Sequence, residues 1–280
     1  MASCSLRMII RNHFLESTVS VNPAPLGAYP ATNMLMTWRS RRMRTSGTTN
    51  QTILFSLAES ADADTFYCPV DKQVTLRLEL FSAPNQTGSL VYDSGDTRFG
   101  VPLRRLIPAG RFRVGIDPWG ATEPVEAVDA LRVLYFDPVR YQSARVTLTS
   151  TSSTAAYIEI PYLVIGKRFE PFYGASLGGN LVWKDNIKDE RTLGGSLVST
   201  GIPLDWRELK LDLVALSKEE RLQLERELKK TKGIGVLIDA YPLDTTELHN
   251  NHLFLAKLQR PDMIHKSTDY HSAQLIFTEV

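Results

Sequence analysis

Val74-Thr75-Leu76-Arg77-Leu78-Glu79-Leu80-Phe81 alternates apolar and polar residues as far as Leu80. Successive side chains of an extended chain point to opposite faces. Val74, Leu76, Leu78 and Leu80 therefore share a buried face, while Thr75, Arg77 and Glu79 meet water. Outward from this strand, further strand candidates are Leu6–Ile10, Ile53–Leu57, Thr65–Cys68, Leu90–Tyr92, Arg111–Ile116, Ala130–Phe136, Ala144–Thr149 and Tyr157–Ile165. Turn-forming clusters separate them, among them Ser82-Ala83-Pro84-Asn85 and Asp117-Pro118-Trp119-Gly120. No amphipathic helix interrupts the series. Residues 1–170 thus predict an antiparallel sandwich domain and not a parallel sheet.

The pattern changes after residue 170. Residues 174–201 are rich in glycine and small polar side chains and read as a connector or arm, which gains order most readily by docking on a neighbour. Glu208–Leu216 alternates again through Leu209, Leu211 and Leu213. Ser217 followed by Glu220 is a capping box, in which each side chain satisfies a backbone donor left open at a helix start. It predicts a helix over Lys218–Lys230 with a narrow apolar stripe of Leu224 and Leu228, helped by Leu222, and with Gly233 as the stop. Val236–Tyr241, Leu253–Leu258 and Ala273–Thr278 then read as strands. Residues 171–280 predict an α+β domain with one helix on a sheet, and the chain as a whole is mainly β.

Composition narrows the function classes. Lys+Arg 32 against Asp+Glu 31 leaves a net charge of +1, so no global field draws the chain to nucleic acid or to an anionic membrane. The two cysteines, Cys4 and Cys68, are too few for a disulfide-stapled scaffold and read as free thiols. Met1 to Leu15 carries Arg7, Arg11 and His13 without a continuous apolar run, which is not the pattern of a signal peptide. No stretch approaches the roughly 20 apolar residues that span a bilayer. The expectation is a soluble chain without membrane insertion, in which the glycosylation triplets Asn50-Gln51-Thr52 and Asn85-Gln86-Thr87 carry little meaning.

Motifs for chemistry are weak. Gly174-Ala175-Ser176-Leu177-Gly178 matches the serine-hydrolase elbow, but Pro171 precedes it and Gly179-Asn180 follows, a context that cannot supply the required strand and helix. His249, His252, His265 and His271 cluster in sequence without the spacing of a zinc motif. No phosphate loop, dinucleotide fingerprint or paired-carboxylate signature is present. The expectation is no catalysis, no cofactor and no metal. The densest basic run, Trp38-Arg39-Ser40-Arg41-Arg42-Met43-Arg44, holds four arginines beside an aromatic. In a charge-balanced chain it reads as a subunit-facing strand, because arginine and tryptophan are enriched in protein interfaces, and not as a nucleic-acid surface.

Several of these segments, taken in order, resemble tail proteins of long-tailed bacteriophages. Ala31-Thr32-Asn33-Met34-Leu35-Met36-Thr37-Trp38-Arg39-Ser40 is similar to their opening Asn-Leu-Leu-like segment with Trp-Arg-Ser/Thr, which precedes a discoidin-like jelly roll. Ile158-Glu159-Ile160-Pro161-Tyr162-Leu163-Val164-Ile165-Gly166-Lys167 resembles their closing strand, with Phe169-Glu170-Pro171 after it. Arg191-Thr192-Leu193-Gly194-Gly195 and Leu216-Ser217-Lys218-Glu219-Glu220-Arg221 look like two further elements of the same proteins. The family's His-Asn-Leu turn is missing, and Ala63-Asp64-Thr65-Phe66-Tyr67 stands in its place.

The resemblance implies a structural, distal-tail-like protein of the tail tip or baseplate. Its expected place is the virion, with the host cytoplasm as the site of assembly. Its expected partners are copies of itself in a ring, together with tube, hub and fibre proteins. Trp38, Arg39, Arg41, Arg42 and Arg44 are then candidate subunit-interface residues. A different class, a carbohydrate-binding module, would use loop aromatics, for which Trp119, Tyr141 and Tyr173 are the candidates.

Overall fold

In the computed structural model, the described residues are 6–36, 41–70, 73–100, 105–106, 122–123, 133–150, 156–175, 179–186, 188–191, 197–200, 206–231, 235–242, 252–259, 262–265 and 270–280. The chain divides into two compact units. One covers Arg11–Arg168; the other takes Phe169–Leu243, His252–Val280 and the first ten residues. Those ten were expected in the sandwich domain. Instead β1 (Arg7–Ile9) lies in the second unit, antiparallel to a strand at Val236–Asp239, and Met8 and Phe169 exchange backbone hydrogen bonds of 3.1 and 2.7 Å. The chain leaves this unit after Ile10 and returns to it at Phe169, so the sandwich is an insertion behind β1.

The sandwich comprises β2 (Thr18–Asn22), β3 (Met43–Arg44), β4 (Gln51–Tyr67), β5 (Val74–Phe81), β6 (Leu90–Asp93), β7 (Thr97–Phe99), β8 (Arg105–Leu106), β9 (Thr122–Glu123), β10 (Val133–Ser150), β11 (Glu159–Ile160) and β12 (Val164–Gly166). Its large antiparallel sheet runs β12-β4-β10-β5-β6, with β2 on β4 and β7 on β5; β3 pairs β11 and β8 pairs β9. Inward residues of the large sheet (Ile53, Phe55, Leu76, Leu78, Ala144 and Val146) pack in one cluster with Phe14, Met34, Met43, Ile158 and Ile160 from the opposite layer.

The strand expected at Val74–Phe81 forms between those residues, with Val74, Leu76, Leu78 and Leu80 buried. The pairs of strands expected at 53–57 with 65–68, and at 130–136 with 144–149, are instead the two long strands β4 and β10. Register shifts between Tyr135/Val139 and Tyr141/Ser143 bend this ladder without ending it. Two side chains lock the closing strand. Buried Asn12 accepts from Phe14 N and Ile165 N and donates to the Leu163 carbonyl. Buried Asp64 accepts from Thr65 Oγ1 and Arg168 N.

The second unit adds β13 (Asn180–Lys184), β14 (Lys188–Arg191), β15 (Leu197–Thr200), β16 (Trp206–Ser217), α1 (Lys218–Thr231), β17 (Val236–Asp239), β18 (Leu253–Leu258), β19 (Asp262–His265) and β20 (Tyr270–Glu279). Its sheet runs β1-β17-β18-β20-β16-β13, with β19 on β20, while β14 and β15 pair with each other. The segment 174–201, expected as a connector, therefore contributes an edge strand and a two-stranded ladder. The capping box forms as read: Ser217 N donates to Glu220 Oε2 at 2.7 Å and Glu220 N to Ser217 Oγ at 3.2 Å. Leu224 is fully buried in the unit's core and Leu228 packs beside it, but Leu222, expected to help, is exposed. The expected stop at Gly233 lies outside the described residues. No described helix is long and apolar enough to cross a membrane.

Candidate functional site

The strands that bury Leu76, Leu78, Val146 and Leu148 turn the alternate residues outward, and these outward rows build a groove of about 740 Å³. β5 supplies Thr75, Arg77 and Glu79; β10 supplies Arg145, Thr147 and Thr149. Antiparallel register sets Glu79 opposite Arg145, Arg77 opposite Thr147, and Thr75 opposite Thr149. Thr52 of β4 pairs Thr147 from the other side, and Asn50 and Asp96 complete the rim. Cross-strand partners share a face, so hydroxyls and charges form rows about 4.8 Å apart on a rigid sheet.

The charges of the groove are matched locally. Arg77 donates to both carboxylate oxygens of Asp93, at 3.0 and 2.6 Å, and Arg145 donates to Glu79 at 3.4 Å. The Arg77 hydrogen bond, helped by the Gly95 amide, holds the Asp93 carboxyl below its ordinary range. Thr149 Oγ1 donates to Asn50 Oδ1 at 3.2 Å and accepts from Asn50 N at 3.3 Å, fixing the rim.

Of the basic run, Trp38 and Arg39 lie outside the described residues. Arg41 is exposed, with Nη1 3.6 Å from the Met36 sulfur. Arg44 is a structural cation within the sandwich. Its guanidinium lies 4.0 Å from the Tyr29 ring centroid and 4.8 Å from that of Tyr157. Glu159 is within 3.5 Å of Arg44 and 3.7 Å of Arg42, while Asn33 donates to the Arg42 carbonyl at 2.9 Å. Arg42 and Arg44 thus join two segments of one chain, a role that charge density alone does not distinguish from an interface.

The three candidate sugar-contact aromatics are Trp119, Tyr141 and Tyr173. Trp119 lies outside the described residues. Tyr141 is inside β10, fully buried, with its hydroxyl 3.3 Å from His13 Nδ1; burial pushes its phenol pKa up, and it cannot touch a ligand from there. Tyr173 is exposed in the other unit, edge-on to Phe172 at 5.0 Å and to Tyr270 at 6.4 Å between ring centroids. Phe172 is 83% exposed, and its amide donates to Glu220 Oε1 at 2.7 Å. Phe172 and Tyr270 were missed because they stand far apart in sequence and each looks unremarkable alone.

Ser176 of the elbow-like motif and His249 lie outside the described residues. His252 stacks edge-on with Tyr241 at 4.8 Å, and buried His271 approaches Arg221 Nη1 at 3.3 Å. His265 is the backbone register partner of His271. Among the described residues, no group of three or more histidine, cysteine or acidic side chains is placed to hold a metal ion. Cys68 is free and buried, and burial pushes its thiol pKa up, away from the reactive thiolate.

No family model matches the sequence, and no curated protein matches it. Among solved structures, the chain is similar to the family 32 carbohydrate-binding module of AlyQ in complex with 4,5-unsaturated mannuronic acid. Identity is 17% and the TM-score 0.34, over 53% of this chain and 92% of that one. It is also similar to the family 32 module of C. perfringens NanJ in complex with galactose, at 13% identity and TM-score 0.35, over 55% of this chain and 96% of that one. A third is chitosan-binding module 1 from a Paenibacillus chitosanase/glucanase, at 11% identity and TM-score 0.37, over 55% of this chain and 98% of that one. Likenesses of this degree say nothing of what this chain binds; its own strand pairing makes it a mainly β protein with a sandwich and, among the described residues, a single α-helix.

Proposed function

We propose that this chain is a structural component of a bacteriophage tail tip or baseplate, assembling with copies of itself into a ring that links the tube to the hub or fibres. The observation that supports this reading is that two resembling segments, distant in sequence, share one core: Met34 of the first is buried in the same cluster as Ile158, Ile160, Leu163 and Ile165 of the closing one. Residues 42–44, outside both segments, bridge them: Asn33 of the first segment holds the Arg42 carbonyl, Met43–Arg44 pairs with Glu159–Ile160 of the closing segment, and Glu159 faces both arginines. The Leu216–Arg221 segment is the helix cap. Such motif residues specify a scaffold, which suits a protein whose work is contact. The exposed aromatic group Phe172, Tyr173 and Tyr270 provides a surface for it.

Reconstruction of intact particles tests the reading, together with tail assembly in the absence of the chain. Density for a ring of this chain at the tail tip, and loss of assembly without it, are expected. A strict monomer dispensable for assembly overturns it. A second reading, recognition of a glycan receptor, is favoured by the hydroxyl-lined groove on β4, β10 and β5.

A further inference from the structure

We propose that the groove on the outer face of β4, β10 and β5 is a binding site for uncharged oligosaccharides. The inference rests on the glycan-recognition reading and names both its site and its ligand class. Ligand pockets are ordinarily lined by apolar and aromatic side chains with a few polar groups. Among the described residues, this one has no hydrophobic or aromatic side chain in its lining. Threonine methyls and the methylenes of the arginines and Glu79 leave carbon surface between the polar groups, so a ligand that carries hydroxyls beside C–H faces matches both.

The charges point to a neutral ligand. Arg77 and Arg145 in the lining are offset by Glu79 and Asp96, and each guanidinium already has a carboxylate partner. An anionic ligand would compete with Asp93 and Glu79 for the same donors and would face Asp96. A cationic ligand would meet the arginines. Uncharged polyols face neither penalty. Threonine hydroxyls donate and accept with a freely rotating hydrogen, so Thr52, Thr75 and Thr147 match sugar hydroxyls in either sense. The edges of the guanidinium and carboxylate groups suit adjacent hydroxyl pairs. Because these groups stand on paired strands and not on loops, the array is organised before the ligand arrives.

The test uses the full chain on a printed array of neutral oligosaccharides and their uronic- and sialic-acid-bearing counterparts, followed by calorimetry on the hits. Methyl-labelled NMR of the threonines locates contact. The Thr75→Val and Thr147→Val variants and their combination keep side-chain shape and β propensity, and a melting curve checks that each folds. Binding confined to neutral glycans, with shifts at Thr75 and Thr147 and an affinity loss of about 10-fold or more in the double variant, supports the proposal. Neutral-glycan binding with the threonine signals and the double-variant affinity unchanged overturns the groove and leaves glycan recognition standing elsewhere. Preference for acidic glycans overturns the ligand class. Absence of any glycan binding overturns the glycan reading together with the site.

Discussion

Arg207 donates to both carboxylate oxygens of Glu279, at 2.9 and 2.6 Å, while its guanidinium lies 4.4 Å from the Phe254 ring centroid and 5.7 Å from that of Trp183. The two side chains are only 15% and 9% exposed. This clamp ties β16 to β20 and covers β18. Removing one partner strands a desolvated charge, which costs more than the intact pair contributes. Glu279→Ala is expected to destabilise the chain by about 2–4 kcal/mol in urea unfolding. Arg207→Lys is expected to lose a substantial part of that, because an ammonium cannot form the planar fork or the stack. A loss below about 0.5 kcal/mol in both variants would place the clamp among ordinary surface pairs.

Asn12 makes three buried hydrogen bonds, to Phe14 N, Ile165 N and the Leu163 carbonyl. Asn12→Ala leaves these backbone groups without their partner, at an expected cost of about 2–4 kcal/mol. Asn12→Asp keeps the acceptor but loses the donor to Leu163, and is expected to be destabilising as well. Hydrogen exchange at Ile165 separates the cause: its amide is expected to lose protection in the alanine variant and to retain more of it in the aspartate variant.

Glu220 has two duties. One oxygen closes the capping box on Ser217 N and the other accepts from Phe172 N. Ser217→Ala is expected to cost about 1 kcal/mol. Glu220→Ala is expected to cost more and to speed exchange of the Phe172 amide, while Ser217→Ala leaves that amide protected. Equal exchange at Phe172 in both variants would mean that the helix start alone, and not Glu220, holds the aromatic pair.

These residues mark the limit of what a sequence displays. Val74–Phe81 and the capping box were legible because their cause is local: period-two burial in one case, a three-residue spacing in the other. The extent of β10 was not, because Pro138, which has no ladder donor, interrupts the alternation after Phe136; the backbone absorbs it between Tyr135 and Val139 as an irregularity of a continuing ladder. β13 hid in a glycine-rich context, since an edge strand with half-buried and exposed residues shows no alternation. The groove combines residues of three strands, and Arg44 becomes a structural cation only because Tyr29, Tyr157 and Glu159 reach it from elsewhere in the chain. Long-range register decides all of these, and no local pattern encodes it.

Two carboxylates couple the fold to acid. The hydrogen bond from Arg77 holds Asp93 below its ordinary range, and the hydrogen bond from Lys184 does the same for Glu208, with Lys210 adding to it. A carboxyl whose folded-state pKa is depressed binds fewer protons folded than unfolded, so its stabilisation is complete above the unfolded pKa and vanishes as pH falls through the folded one. Unfolded aspartate and glutamate titrate near about 3.9 and 4.3, so this contribution is expected to be flat above about pH 5 and to decline below about pH 4. The Arg77 and Lys184 side chains are exposed, although Glu208 is buried, so added salt is expected to shrink the decline. Urea midpoints measured across this range, with and without salt, follow it. Lys184→Met removes the partner that depresses Glu208, so its acid decline is expected to be shallower than that of the unmodified chain. An identical pH slope in the two proteins would assign the acid sensitivity to other carboxylates.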